Sequence, residues 1–282
     1  MIYVLSGAVS HGRGKGRGAG FPTANLEPVP KDLPEHGVYA SLFYLADGRL
    51  FTGVTNVGLR PTADDDPRPT VETFLDGFDG DLYGLEAAVV LLERLRPDRR
   101  FDDMEALGRQ IESDRRTAAR ITGEYLAQSV LTKSREETAA LGRRLAERLA
   151  PGSVVTLNGP MGAGKSELAR GIARGLGVTG PLPSPTFTIL NAYDAGRLPL
   201  YHYDWYRIED EEELTVIGAE DHLPGDGVTL VEWAELAPGL LPRTRLDVTL
   251  TPVFEGVRLI HLKPLGDFPD TSTWIKPETD RC

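Results

Sequence analysis

The sequence predicts a β-rich domain followed by an α/β domain. Its 282 residues allow two domains on the usual scale of roughly 100–200 residues each. Short apolar runs such as GVYASLFYL and LFTGVTNVG, broken by Gly and Pro, indicate an antiparallel sheet or small barrel up to residue 127. Helical and strand patterns alternate from residue 128, which is typical of an α/β domain. We therefore predict domains over 1–127 and 128–265, and a polar, flexible tail over 266–282.

Helix signals are present in both domains. In the first, one helix begins at Asp102 or Asp103 and continues toward Leu126. In the second, Ser134 and Glu137 form a capping-box pattern before an amphipathic helix. The run SVVTLNG then predicts a buried strand, and a glycine-rich loop leads into a second helix. Further strands are expected at TILNAYD, LPLYHYD, VTLVEW, LDVTL and VRLIHL.

Charge and cysteine content narrow the function classes. The net charge is −11, with 15 basic and 20 acidic residues up to Ala127 and 16 and 22 from Gln128 onward. Neither half has the basic surface of an autonomous nucleic-acid binder, so a partner would hold most of any bound RNA. The single cysteine, Cys282, excludes an intrachain disulfide and argues against a structural zinc site. We expect an unprocessed cytoplasmic protein with no membrane partner, because no window approaches the roughly 20 apolar residues of a membrane span.

The segment GPMGAGKS at 159–166 fits the pattern G-x-x-x-x-G-K-[S/T] and lies between a predicted strand and a predicted helix. In such a loop, glycines let backbone N–H groups surround phosphate, Lys165 reaches the β- and γ-phosphates, and the Ser166 hydroxyl ligates Mg²⁺. The alternative is a glycine-rich loop that only turns the chain, but strand, loop, Lys-Ser and helix occur in the required order. The predicted ATP-binding residues are Gly159, Gly162, Ala163, Gly164, Lys165 and Ser166.

Polar residues downstream indicate what the loop does with ATP. Thr186 lies in the turn SPTF, Asp204 ends the run LYHYD, and Glu232 ends the run VTLVE before Trp233. An acidic residue at the end of a buried strand occupies the position of a metal ligand in P-loop proteins. Each residue also has an ordinary explanation: turn hydrogen bonding for the threonine, capping for the aspartate and core packing for the tryptophan.

Six segments between residue 134 and about residue 262 carry a resemblance to a known family: SREETAALG, GPMGAGKS, SPTF, YHYDWYR, GAEDHLPGDG and VEW. Through these segments, this part of the chain resembles the TsaE family, the small ATPases of bacterial threonylcarbamoyl-adenosine synthesis at position 37 of tRNA. The resemblance implies an α/β P-loop NTPase with a mostly parallel or mixed sheet, which binds and hydrolyses ATP. It also implies action with TsaD and TsaB homologues, with tRNA reached only through that complex.

The resemblance also implies roles for the downstream residues, beside the P-loop lysine and serine. Thr186 would sense the γ-phosphate, and Glu232 would hold the metal directly or through water. Asp204 would polarise the attacking water or complete the magnesium shell. Trp233 would lie near the nucleotide or a partner surface. Arg207 is the closest candidate for an arginine finger, with a structural role as the alternative.

The first half has a glycine-rich segment of its own, HGRGKGRGAGFPTAN at 11–25. Such a loop closes its backbone over a polyphosphate, while Thr and Asn oxygens suit a hard cation such as Mg²⁺. The alternative is a mobile linker whose basic residues form a solvated surface. The predicted ATP-binding residues are Gly12, Lys15, Gly16, Arg17, Gly20, Thr23 and Asn25, with Thr23 and Asn25 as the metal ligands.

Residues 3–127 resemble the riboflavin kinase family through GFPTAN, NVGLRPT, TVE, DLYG and LGRQIESD, in the family's order. The resemblance implies a six-stranded Greek-key barrel with a C-terminal helix, which phosphorylates riboflavin to FMN. Glu72 would be the base for the ribityl 5′-hydroxyl, since phosphoryl transfer to an alcohol needs a carboxylate that takes the proton. Lys15 replaces the family's usual Arg, which loses bidentate phosphate geometry. No adenylyltransferase domain fits in the chain, so the expected product is FMN.

Three functional hypotheses follow from these patterns. The first is two working enzymes on one chain, each using Mg²⁺-ATP. The second is a degenerate first half that senses flavin or nucleotide and regulates the ATPase. In the third, the second half is a small-molecule P-loop kinase, which the lack of a recognisable Arg-rich lid and acceptor motif disfavours.

Overall fold

The computed structural model describes residues 2–10, 23–29, 32–60, 68–78, 80–99, 101 and 103–275. The chain divides into two units, Met1–Leu126 and Ala127–Cys282. The boundary that we predicted lies one residue later.

The first unit is a closed antiparallel barrel, as predicted. Its strands follow the order β1-β2-β5-β4-β3-β6. The meander of the third, fourth and fifth strands lies beside the second, which is a Greek-key arrangement. The strands are β1 (Tyr3–Ser10), β2 (Thr23–Glu27), β3 (Gly37–Leu45), β4 (Leu50–Arg60), β5 (Arg68–Leu75) and β6 (Glu86–Arg96).

Both faces of the barrel wall next to the helix are apolar. Alternate residues of β3, such as Tyr39 and Phe43, join the core inside the barrel. Ala40 lies on the opposite face of the same strand and packs against Ala118 and Ile121 of helix α1 (Met104–Ala127). The wall is therefore buried on both sides, which explains why every residue of β3 is buried.

The first helix begins where the sequence predicts. The Asp103 side chain accepts a hydrogen bond from the backbone N–H of Ala106 (2.7 Å), as an N-cap aspartate does. Arg96 of β6 then donates two hydrogen bonds, from Nε (3.0 Å) and Nη2 (2.9 Å), to Asp114 Oδ2 on α1. This largely buried ion pair fixes the helix against the barrel.

The second unit is an α/β domain with a mixed sheet, as predicted. Its seven strands follow the order β7-β13-β12-β8-β11-β10-β9. The four central strands run parallel, whereas β9 at one edge and β13 and β7 at the other pair antiparallel. The elements are β7 (Ser129–Thr132), α2 (Arg135–Ala146), β8 (Val154–Asn158), α3 (Lys165–Gly175), β9 (Leu190–Tyr193), β10 (Leu200–Asp204), α4 (Glu211–Val216), β11 (Val228–Glu232), β12 (Arg245–Phe254) and β13 (Val257–Leu265).

Helices α2 and α3 pack closely against each other. Leu141 and Leu145 of α2 share one core with Leu168 and Ile172 of α3. Gly171 makes the close approach possible, because a Cβ atom there would lie 2.3 Å from the backbone oxygen of Ala139. These contacts position the start of α3, which follows the glycine-rich loop.

The capping box at α2 forms, with one difference from the usual pattern. Ser134 Oγ accepts from the backbone N–H of Glu137 (3.1 Å). The Glu137 carboxylate accepts from the backbone N–H of Lys133 (2.7 Å), one residue before the cap. The preceding segment, 129–132, forms the edge strand β7, which the sequence patterns did not predict.

The predicted flexible tail is wrong for residues 266–275, which pack onto the core of the second unit to which they belong. Thr271 is fully buried, and its Oγ1 donates to Gln128 Oε1 (2.7 Å). The Phe268 and Trp274 rings lie 5.9 Å apart, and Ile275 joins the core. Apolar side chains within this polar stretch thus give it a packed position. Residues 276–282 lie outside the described residues.

Among the described residues, no helix has the length and apolar character that a membrane crossing requires.

Candidate functional site

The glycine-rich loop of the second unit connects β8 to α3. Three glycines of the loop have positive φ angles, which residues with a Cβ atom rarely adopt: Gly159 (140°), Gly162 (77°) and Gly164 (104°). A Cβ on Gly159 would also lie 2.4 Å from the backbone oxygen of Leu250. The loop conformation therefore depends on these glycines. Helix α3 begins immediately after the loop. The unpaired N–H groups at a helix N-terminus favour binding of an anion, so the loop and the start of α3 together suit a phosphate group.

Lys165 is held inside this loop. Its Nζ donates to the backbone oxygens of Gly159 (2.6 Å) and Pro160 (3.0 Å) and lies 3.8 Å from the centroid of the Trp233 ring. Burial lowers the pKa of Lys165 below its usual 10.5, although the carboxylates of Glu232, Glu235 and Asp204 oppose the shift. A phosphate group in the loop would be a stronger acceptor for Lys165 Nζ than the two backbone carbonyls, because it is charged.

Two buried carboxylates lie side by side next to the loop. Strands β10 and β11 are parallel and pair Asp204 with Glu232 at their carboxyl ends. Glu232 Oε2 accepts from the Ser166 hydroxyl (3.2 Å), and Glu232 Oε1 contacts His202 Nε2 (3.0 Å). Hydroxyl and carboxylate oxygens are the ligands that Mg²⁺ prefers, so Ser166 and Glu232 suit that ion.

A hydroxyl pair holds the second carboxylate. Asp204 Oδ2 accepts from Thr186 Oγ1 (2.6 Å) and from Ser184 Oγ (3.3 Å). Asp204 Oδ1 accepts from the backbone N–H of Tyr206 (3.0 Å). The SPTF turn is thereby attached to the end of β10, although the two segments are 18 residues apart.

A cleft of about 330 Å³ joins these groups. Such a volume is at the lower end of small-molecule sites. Gly159 lies at the start of the loop, and the remaining predicted residues of this unit line the cleft: Gly162, Ala163, Gly164, Lys165, Ser166, Thr186, Asp204, Glu232 and Trp233.

Sequence patterns missed two contacts of the site. His202 precedes Asp204 by two residues and so lies on the same side of β10, a signal that strand periodicity could have supplied. Arg258 donates from Nε to the backbone oxygen of Ala163 (2.8 Å) across 95 residues, and no local pattern predicts this contact. Arg207 lies over the Phe187 ring (4.3 Å) and is not part of the cleft lining, which favours its structural alternative.

The barrel brings together the described candidates of the first unit. Asn25 of β2 pairs directly with Glu72 of β5, which pairs on its other side with Asn56 of β4. Directly paired residues point to the same face of a sheet, and Thr23, two residues from Asn25, shares it. Ala24 belongs to the barrel core, so this polar row lies on the outer face.

The glycine-rich segment of the first unit falls outside the described residues. The predictions that lie there are Gly12, Lys15, Gly16, Arg17 and Gly20.

The chain matches two protein families. Residues 132–258 match the family "Threonylcarbamoyl adenosine biosynthesis protein TsaE", and residues 1–122 match the family "Riboflavin kinase". A Bacillus subtilis (strain 168) protein named tRNA threonylcarbamoyladenosine biosynthesis protein TsaE is 43% identical over 136 residues, which cover 48% of this chain and 85% of the relative. A Nostoc sp. protein with the same name is 40% identical over 157 residues, 54% of this chain and 92% of the relative.

Among solved structures, the chain is similar to the protein in the crystal structure of Bacillus subtilis YdiB, with 37% sequence identity and a TM-score of 0.44. The matched region covers 49% of this chain and 86% of the YdiB chain. The identity to the Bacillus subtilis TsaE protein extends over most of that relative's length. The first unit matches the riboflavin kinase family model over residues 1–122, and the chain belongs to the TsaE family through its second unit.

Proposed function

We propose that the chain is a bifunctional ATP-using enzyme. The second unit would hydrolyse ATP in support of threonylcarbamoylation of adenosine 37 in tRNA, and the first would phosphorylate riboflavin to FMN. The observation that carries the proposal is the cleft that joins a glycine-rich phosphate loop to Thr186, Asp204 and Glu232. In the first unit, the support is the pairing of Asn25 with Glu72.

In the ATPase, the chain's own groups would bind and orient the triphosphate. The loop amides and the N-terminus of α3 surround the phosphates, and Lys165 adds a positive charge. Ser166 and Glu232 would hold Mg²⁺, which neutralises charge on the phosphates when it is bound. Asp204 accepts hydrogen bonds from Thr186 and Ser184, so its carboxylate has a defined orientation from which to polarise a water molecule.

In the kinase, Glu72 would accept the proton of the ribityl 5′-hydroxyl as the phosphoryl group is transferred. Thr23 and Asn25 lie on the same strand face and would hold Mg²⁺-ATP through their oxygens. The product would be FMN. Riboflavin is then the small-molecule substrate of this unit, and ATP is the phosphoryl donor.

The partners and location are also part of the proposal. TsaD and TsaB homologues would act with the second unit, and tRNA would be reached through that complex. The net charge from Gln128 onward is −6, so electrostatic attraction to RNA phosphates should be too weak for this unit to bind RNA without a partner. We place the protein in the cytoplasm, since both reactions consume ATP.

The most informative experiment is mass spectrometry of riboflavin after incubation with the full chain and Mg²⁺-ATP, with ADP release followed in parallel without riboflavin. We expect FMN in the first assay and slow ADP release in the second. ADP release without FMN would favour the sensor alternative for the first unit. Phosphoryl transfer from ATP to an added metabolite, catalysed by the second unit, would favour the small-molecule kinase alternative.

A further inference from the structure

His202 donates a hydrogen bond to the carboxylate that we assign to the metal. The side chain lies on β10 and is 7% exposed, and its Nε2 is 3.0 Å from Glu232 Oε1. An ionised carboxylate has only acceptor oxygens. Nε2 therefore carries the hydrogen in this contact, which fixes the tautomer of a neutral ring.

The Glu232 carboxylate is held at both oxygens by different elements. His202 of β10 holds Oε1, and Ser166 of α3 contacts Oε2 at 3.2 Å. Glu232 itself is 2% exposed, so it has little access to water for replacing a lost donor. With Oε1 engaged by the histidine, Oε2 is the oxygen that faces the P-loop serine.

A second carboxylate makes this orientation important. Asp204 is the direct strand partner of Glu232 and is equally buried. Two like charges at neighbouring positions repel each other in a poorly solvated site. His202 contacts the Glu232 oxygen that Ser166 does not contact. The Asp204 carboxylate is oriented by hydrogen bonds to its Oδ2 from Thr186 and Ser184 of the SPTF turn.

We infer that His202 is a positioning residue that orients Glu232 toward Ser166 for Mg²⁺-dependent nucleotide binding. This inference rests on the proposed ATPase function. Hydrogen-bond partners of metal ligands typically contribute about 10- to 100-fold in metal affinity or activity. The affinity for the metal-nucleotide complex should therefore depend on His202, whereas the affinity for metal-free nucleotide should not.

The test compares three substitutions in the full chain. His202→Gln keeps an N–H donor near the position of Nε2. His202→Asn keeps an amide donor, but its side chain is too short to reach Glu232, and His202→Leu has no donor. Quenching of tryptophan fluorescence gives the ADP affinity of the second unit, where all three tryptophans lie, with Mg²⁺ and with EDTA, and the ratio of the two affinities is the readout. His261→Leu is the matched control, because His261 is also hydrogen bonded, but on β13 and to Ser129 (3.0 Å), which is not a proposed metal ligand.

We expect His202→Leu and His202→Asn to lower the Mg²⁺ enhancement by about tenfold or more, while His202→Gln and His261→Leu retain it. A folded His202→Leu protein with the wild-type ratio would overturn the inference and leave the ATPase proposal intact. If His202→Leu does not fold, the Gln and Asn variants decide: equal ratios overturn the inference. Wild-type protein whose second unit binds no nucleotide with Mg²⁺ would overturn the ATPase proposal itself.

Discussion

Thr186 and Asp204 are joined by a hydrogen bond of 2.6 Å, from Oγ1 to Oδ2. The threonine lies between α3 and β9, and the aspartate ends β10. The backbone closes the same segment, since the Asp204 N–H donates to the oxygen of Ile189 (3.0 Å). A nucleotide phosphate that drew the threonine hydroxyl toward itself would leave Asp204 Oδ2 with only the longer hydrogen bond from Ser184 (3.3 Å). The position of the turn and the orientation of the carboxylate are thus linked.

Thr186→Val should slow ATP turnover by about 10- to 100-fold, because a hydrogen bond to a charged group contributes roughly 1.5–3 kcal/mol. ADP affinity should stay within about threefold, since the phosphate loop is unchanged. Thr188→Val is the control, because Thr188 lies in the same segment but donates to Asn191 (2.9 Å). Steady-state ADP release without riboflavin measures turnover, and quenching of tryptophan fluorescence, which reports on the second unit alone, measures ADP affinity. Equal turnover in the two variants would contradict the role of Thr186.

Lys165→Ala should reduce ATP turnover by the second unit on the order of 10²-fold or more, as the loss of a group that stabilises transition-state charge does. FMN formation should continue, because the proposed kinase site lies in the other unit. Lys263→Ala, an exposed lysine of β13, is the control for charge removal. Parallel loss of ADP release and FMN formation in Lys165→Ala would argue against separate ATP sites.

Tyr203→Phe should stabilise the second unit. The Tyr203 hydroxyl is buried and has no hydrogen-bond partner among the described residues, and such a group costs about 1–3 kcal/mol. All three tryptophans lie in this unit, so tryptophan fluorescence during urea unfolding reports on it. We expect a gain of roughly 1 kcal/mol near neutral pH. Tyr201→Phe loses a hydrogen bond to Asp226 (2.8 Å) and should bring no gain.

The same substitution should change the response to alkali. Burial, with smaller contributions from Asp221 and Tyr201, raises the pKa of Tyr203 from 10.0 to about 12. A raised tyrosine pKa contributes stability that is complete below the unfolded value and is lost as pH rises through the folded value. Wild-type stability should therefore fall between about pH 10 and pH 12, and less steeply in Tyr203→Phe. Parallel curves for the two proteins would contradict this assignment.

The isolated chain should bind tRNA weakly. Acidic residues outnumber basic ones in both halves, and phosphate affinity depends on clustered Lys and Arg. We expect a dissociation constant no tighter than about micromolar at physiological salt, the range of non-specific binding. A gel shift with the full chain and no partner proteins measures it. Nanomolar binding in that assay would place an RNA site on this chain.

Much of the candidate nucleotide site could be predicted because its parts are local. The phosphate loop is one contiguous segment, and the two acidic residues each end an apolar run. Parallel neighbouring strands bring such ends together, as the pairing of Asp204 with Glu232 shows. Local patterns therefore predicted the residues, and the pairing of the two strands explains their proximity.

Contacts that depend on strand register or on distant segments could not be predicted in this way. The bond between His202 and Glu232 requires β10 and β11 to be neighbours in the register that the fold adopts. Arg258 of β13 reaches Ala163 because the sheet places β13 two strands from β8, which leads into the loop. The docking of residues 266–275 depends on a few apolar side chains in a stretch whose average composition is polar.

Glu72→Gln tests the kinase reaction most directly. If Glu72 is the base, glutamine keeps its size and hydrogen bonding but cannot accept the proton, so riboflavin should bind normally. Transfer should slow by roughly the 10² to 10⁴ that general-base loss costs. If Glu72 only supports the barrel through its pairing with Asn25 and Asn56, the variant should lose thermal stability or affinity and keep the turnover of bound substrate. Quenching of riboflavin fluorescence measures binding, single-turnover FMN formation measures transfer, and Glu93→Gln on β6 controls for loss of a strand carboxylate. Normal binding with normal transfer would remove Glu72 from the mechanism.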